Sequence, residues 1–279
     1  MKNELTKVIT KALDNRLEEL QKNFQTDILC IDAPIDYLTA TLTRSCLEKM
    51  FASRNLQKHL VVFLTTNGGD ANSTERIVNS LRHYYQQVDF LIPDHAYSAG
   101  TILCMSGNQI FMNYNSVLGP IDPQVMNKEG RFVPALGYLE KIEDLLNKAQ
   151  TNTISQAEFL ILKDFDLAEL SGYEQARDLS IDLMKNWLVK YKYSNSLMSE
   201  TEKINLAESI AKNLNDYRKW QSHGRPLNLE TIQKLGLDVV DFGKDELLEK
   251  EIMNFHDLFE DYMAYQNTNA MIYSVGIEL

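Results

Sequence analysis

The chain has 279 residues, and its 28 lysines and arginines stand against 39 aspartates and glutamates, a formal net charge of −11. At 44% hydrophobic and 24% charged, the composition is globular, with enough apolar side chains for a sizeable core; collagen-like, disordered and mini-protein classes are excluded. The acidic balance argues against a nucleic-acid partner, whose phosphates call for clustered basic residues.

The elements follow in chain order. Leu5, Val8, Ile9, Leu13, Leu17 and Leu20 recur at helical spacing, so the first 25 residues read as an amphipathic helix. Charges run throughout this segment, which lacks the apolar stretch of a signal peptide. A short strand is expected over 27–31 and a helix over 39–53. Residues 60–66 read as a buried strand ending at Asn67-Gly68-Gly69-Asp70, and a polar cap at Asn72 or Ser73 opens a helix to about Gln87. Residues 89–93 form the next strand. A turn leads to Ser98 and a helix to about Ser106, followed by extended pieces at 109–113 and 116–121. Strands alternating with helices imply parallel pairing and an α/β core. From 135 to 214 the pattern is helical: to Ala149, then 155–170, 173–193 and 200–214. A short helix at 229–235, a strand-like piece at 237–240 and a helix at 245–266 follow. The last residues read as polar and loose. The expected division is an N-terminal helix (1–26), a core (27–245, with helical additions at about 135–215) and a helical tail (246–279).

The longest apolar runs, such as 60–64, fall far short of the roughly 20 residues a spanning helix needs. Cys30, Cys46 and Cys104 are an odd, widely spaced set that makes neither a metal site nor a disulfide framework. A cytoplasmic setting is expected, with no cofactor and no metal.

Two features carry chemistry: Gly68-Gly69 at the end of a buried strand, and Ala96-Tyr97-Ser98-Ala99-Gly100-Thr101 at a strand-to-helix turn. A serine there presents its hydroxyl where helix N–H groups are free, which suits a nucleophile. Glycine backbone amides can face an oxyanion. The plainer alternative is that Ser98 is only a helix cap and Gly68-Gly69 only a tight turn. No GxGxxG, GxxxxGK[ST] or GxSxG motif is present.

Residues 61–124 resemble the Clp/crotonase superfamily, and within it the serine dehydrogenase proteinase family, relatives of signal peptide peptidase A. The resemblance rests on Thr65-Thr66-Asn67-Gly68-Gly69-Asp70, on Ile92-Pro93 with Ala96-Tyr97-Ser98-Ala99-Gly100-Thr101, and above all on Leu118-Gly119-Pro120-Ile121-Asp122-Pro123-Gln124. Ser222-His223-Gly224-Arg225-Pro226 and Lys234-Leu235-Gly236-Leu237 extend it, so that it covers most of 27–245. It implies a ββα spiral and an ATP-independent serine peptidase acting on protein or peptide substrates, usually as a homo-oligomer. By analogy Ser98 is the nucleophile, with Gly68, Gly69 and Ala99 around the oxyanion.

One departure concerns the base. Where Clp peptidases carry a histidine, about two dozen residues after the nucleophile, this chain has Asp122. Relatives of signal peptide peptidase A use a Ser-Lys dyad, and a lysine can act as base only if burial or nearby cations lower its pKa. Lys128, Lys141, Lys148 and Lys163 are candidates. Lys141 is preferred, because its distance from Ser98 is similar to that of the dyad lysine in archaeal relatives; Lys163 is the alternative, set amid Phe159-Leu160-Ile161-Leu162 and Phe165, an apolar setting that could desolvate it. Asp122, His95 and His223 remain open as base, orienting or substrate-binding groups. His59, His83 and His256 form no metal pattern. Two other readings stand beside the peptidase: a catalytically inactive scaffold of the same fold, and a crotonase-type enzyme binding acyl-coenzyme A.

Overall fold

The structure is a computed structural model that describes residues 2–53, 57–126, 130 and 132–279. It begins with α1 (Lys2–Phe24), β1 (Asp27–Asp32), α2 (Tyr37–Ser53), β2 (His59–Thr65), α3 (Ala71–Tyr84) and β3 (Gln87–Leu91). Then come β4 (His95–Ala96), α4 (Ala99–Cys104), β5 (Ile110–Met112), β6 (Val117–Leu118) and a hairpin of β7 (Gln124–Met126) and β8 (Phe132–Pro134). The helical stretch holds α5 (Ala135–Gln150), α6 (Gln156–Lys163), α7 (Leu167–Trp187), α8 (Glu200–Leu214) and α9 (Tyr217–Trp220). The chain closes with β9 (Leu227–Asn228), α10 (Leu229–Lys234), β10 (Val240–Asp241), α11 (Glu246–Gln266), β11 (Met271–Ser274) and β12 (Ile277–Glu278).

The main sheet runs β10-β5-β3-β2-β1-β11-β12. Its first five strands are parallel, as strands joined by helical crossovers must be. Both faces are covered, and the strand period of two decides which side chain goes where. Leu29, Ile31, Leu60, Val62 and Leu64 enter the core beneath α2, α3, α7 and α8. Ile28, Cys30, Val61 and Phe63 enter a second core beneath α1 and α11. Continuous apolar runs at 28–31 and 60–64 are therefore what a strand buried on both faces requires.

Two sequence expectations change. The helix expected over 155–170 is two helices. The Asp164 N–H closes α6 on the Leu160 and Ile161 carbonyls, and the Asp166 side chain accepts the Ala168 N–H to open α7. The polar end expected to be loose is a buried strand: β11 pairs antiparallel with β1, Cys30 opposite Tyr273. The Tyr273 hydroxyl donates to Asp14 Oδ1 of α1 at 2.8 Å, joining the two ends of the chain. Among the described residues, no helix is long and apolar enough to cross a membrane.

A small second sheet, β4-β6-β9, positions the site. It brings together three segments far apart in sequence: the one before Ser98, the one before Asp122 and the one after His223.

Candidate active site

The end of β2 is tied to the start of the serine turn. The Thr66 N–H donates to the His95 carbonyl and the Tyr97 N–H to the Thr66 carbonyl, both at 3.0 Å. This lays the Gly68-Gly69 turn against Ser98. A Cβ on Gly68 would lie 2.8 Å from Ser98 Cβ, and one on Gly69 would lie 2.1 Å from the Ile35 carbonyl oxygen. Both residues have positive φ, +96° and +153°. Only glycine meets both demands.

Ser98 occupies the N-cap position of α4, but its side chain makes no capping hydrogen bond. Its backbone sits at φ +52°, ψ −115°, a sparsely populated region costing on the order of 1–3 kcal/mol for a non-glycine residue. Its side chain is thus not committed to the cap, and Ser98 lines a cleft of about 870 Å³.

The amides around it divide clearly. The Gly68 N–H donates to Thr66 Oγ1 at 3.0 Å, so it is engaged. The Gly69 and Ala99 N–H groups have no hydrogen-bond partner among the described residues, and both residues line the cleft beside Ser98. Thr66 two residues before Gly68 is the sequence signature of a hydroxyl-closed turn, and it was available as a signal.

The other side of the cleft is assembled across the small sheet. β6 and β9 run antiparallel, Val117 opposite Asn228 and Leu118 opposite Leu227. Beyond this short ladder the two chains lead on to Asp122 and back to His223. Their side chains meet there, His223 Nδ1 and Asp122 Oδ1 being 2.9 Å apart. A carboxylate can only accept, so Nδ1 carries the proton and Nε2 keeps its lone pair. Asp122 is 1% exposed, and its other oxygen accepts from Gln124 Nε2 at 2.9 Å. His223 lines the cleft with Ser98. No hydrogen bond joins the two among the described residues. Catalytic hydrogen bonds are often long without substrate.

The structure thus gathers Ser98, Gly69, Ala99 and His223 around one cleft, with Gly68 and Asp122 directly behind. It does not bring the lysines there. Lys141 is 59% exposed and lies 3.6 Å from Asp144. Lys148 lies 2.7 Å from Glu158, whose hydrogen bond holds the ammonium above its ordinary pKa, the reverse of what a base needs. Lys163 is exposed on α6, a helix with no buried residue. The desolvating setting expected for it is absent because Phe159, Leu160 and Ile161 are themselves exposed. Lys128 lies outside the described residues. His95 pairs with Asp94 at 2.9 Å and stacks near Tyr97; it is not among the cleft-lining residues.

Sequence reasoning missed Gln124 and the far wall of the cleft, where α7 contributes Gln175, Ala176, Leu179 and Ser180. With Ile102, Ile121 and Pro123, they make the lining of the cleft largely apolar. Among the described residues, no group of three or more His, Cys, Asp or Glu is placed to hold a metal ion. Cys104 is buried, and burial pushes its thiol pKa well up, so it is an inert core residue.

Comparison with known proteins agrees with this architecture. Two uncharacterized proteins of Methanocaldococcus jannaschii are similar, one 26% identical over 76% of this chain and 62% of its own length. The other is 29% identical over 64% of this chain and 51% of its own. The chain therefore spans between about half and three fifths of the length of these curated relatives. Among solved structures, a mutant of the 1510-N membrane-bound stomatin-specific protease is similar with a TM-score of 0.45 and 15% identity, covering 77% of this chain and 79% of that one. The model of one family, the ClpP-like SDH-type serine proteinases, matches residues 47–274, which takes in the serine turn, the Gly-Gly turn and the Asp122–His223 pair alike. The chain belongs to that family and has its ClpP-like protease fold.

Proposed function

We propose that the chain hydrolyses peptide bonds, with Ser98 as nucleophile and His223, held by Asp122, as general base. Ser98 Oγ attacks the scissile carbonyl carbon and its proton passes to His223 Nε2. The carbonyl oxygen becomes an oxyanion and takes hydrogen bonds from the Gly69 and Ala99 N–H groups. Collapse of this intermediate expels the amine, which receives the proton from His223, and a water molecule then releases the acyl group by the same route. Asp122 holds the productive tautomer and stabilises the imidazolium. The base is thus read as histidine, and the Ser-Lys alternative loses its support because Lys141 and Lys163 lie on solvated helix surfaces.

The observation that carries this reading is His223, held by the buried Asp122, lining one cleft with a strained, uncapped serine. Turnover needs no nucleotide in this scheme, and the family resemblance supports a homo-oligomer acting on protein or peptide substrates. Labelling with a fluorescent fluorophosphonate tests the chemistry. Wild type is expected to label and Ser98→Ala to stay blank. His223→Ala and Asp122→Asn should label about 10² to 10⁴ times more slowly, and Lys141→Ala at the wild-type rate. A folded wild type that never labels is the inactive scaffold. Slow labelling by Lys141→Ala together with normal labelling by His223→Ala would return the base to lysine.

A further inference from the structure

Asp122 is a buried acid whose two oxygens each have one partner among the described residues: His223 Nδ1 on Oδ1 and Gln124 Nε2 on Oδ2, both at 2.9 Å. Among the described residues, no lysine or arginine pairs with it. A buried carboxylate depends on such hydrogen bonds, because water cannot replace them. Its backbone is held independently, since the ring of Pro123 restricts the preceding residue to extended conformations. The side-chain torsions stay free unless something grips the second oxygen. Among the described residues Gln124 is the one in place to do so, and it reaches Asp122 from the first residue of β7, at the wall of the cleft.

We infer that Gln124 is a positioning residue of the catalytic site: its amide fixes the plane of the Asp122 carboxylate and, through it, the tautomer and orientation of the His223 ring. This rests on the reading of His223 as the base. With the amide removed, Oδ2 is left buried and unpaired, and the carboxylate is free to rotate away from His223. Ser98 would then keep its place and its probe-binding cleft but lose a well-aimed base. The expected signature is a loss in the rate of the chemical step with little change in binding.

The test measures fluorophosphonate labelling at several probe concentrations, separating the maximal rate from the half-saturating concentration. Gln124→Met keeps the length and removes the donor. Gln124→Glu keeps the shape and sets a second carboxyl against Asp122. Both variants are expected to lower the maximal rate about tenfold or more, as for a lost hydrogen bond to a charged group. The half-saturating concentration should stay within about twofold of wild type, since both replacements keep the length of the side chain in the cleft wall and leave Ser98 in place. The downfield proton resonance of the His223 Nδ1–H should shift or broaden in both, and thermal denaturation shows that each is folded. Wild-type maximal rates with an unmoved resonance in both folded variants overturn the inference. So does a change confined to the half-saturating concentration. Normal labelling by His223→Ala instead overturns the assignment of the base, a distinct result obtained with a different variant.

Discussion

At the scale of single residues, the site depends on which hydrogen bonds are already spoken for. Thr66 Oγ1 takes the Gly68 N–H, and that bond turns the next peptide so that Gly69 faces the cleft. Sequence reasoning treated Gly68 and Gly69 as equivalent; the threonine hydroxyl two residues upstream makes them different. Thr66→Val preserves shape and removes the acceptor. It is expected to destabilise the fold by about 1–3 kcal/mol, the cost of an unpaired buried N–H, and to slow labelling of Ser98 because the turn loses its single orientation. Urea denaturation and labelling rates read the two effects, and a variant as stable and reactive as wild type would show the bond to be incidental. Ser98 itself was legible from its place between strand and helix. Its uncapped, positive-φ geometry was not, since a serine at that position serves equally well as a cap.

At the scale of elements, α7 does more than cover the core. Its middle supplies one wall of the cleft through Gln175, Ala176, Leu179 and Ser180, facing Ile102 and Ile121. A peptide side chain entering there meets apolar surface, which favours apolar residues by about 1–3 kcal/mol for each methylene-sized difference in fit. Ala176→Phe projects a ring into that space. The expected outcome is a fall of about 10- to 100-fold in kcat/KM for peptides with large apolar residues at the cleavage site, with small residues much less affected. A peptide library measures the ratio, and an unchanged ratio would remove α7 from substrate selection. The sequence pattern predicts helix on this stretch of chain but does not say which side of it meets a core and which a cleft. The break between α6 and α7 was hidden similarly, because Asp164 and Asp166 stop and start helices only through bonds that depend on the fold.

At the scale of the whole molecule, β1 sits at the junction of the two cores and of the two chain ends. At its end, Asp32 faces α11, where it hydrogen-bonds Glu260; burial, then that bond and the nearby charges of Glu260 and Asp94, push its pKa up to about 8. The folded state therefore binds this proton more tightly than the unfolded chain, whose value is near 3.8. The stability tied to the protonated form is fully present below about pH 4 and is lost as pH rises through about 8. Asp32→Asn removes the titration and keeps the size. Wild type is expected to lose Tm between pH 6 and pH 9 more steeply than Asp32→Asn, as followed by circular dichroism. Parallel curves would show that Asp32 does not control this window.

The sequence by itself determined the α/β class, the parallel order of the central strands, the serine turn and the glycine turn. These are local matters: apolar runs set by a two-residue period, a βα succession that forces crossovers, and glycines where other residues collide. Through motif resemblance it also determined the family. Only the tertiary structure decided the partners. His223 meets Asp122 across 101 residues of chain, next to the small sheet in which β6 and β9 pair antiparallel, while Lys141 and Lys163 turn to solvent. The C-terminal strand finds β1 in the same way, pairing with the first strand of a sheet that the rest of the chain has already built. Such choices rest on which segments share a sheet edge, and that pairing is fixed by the packing of both cores together, not by the residues on either segment alone.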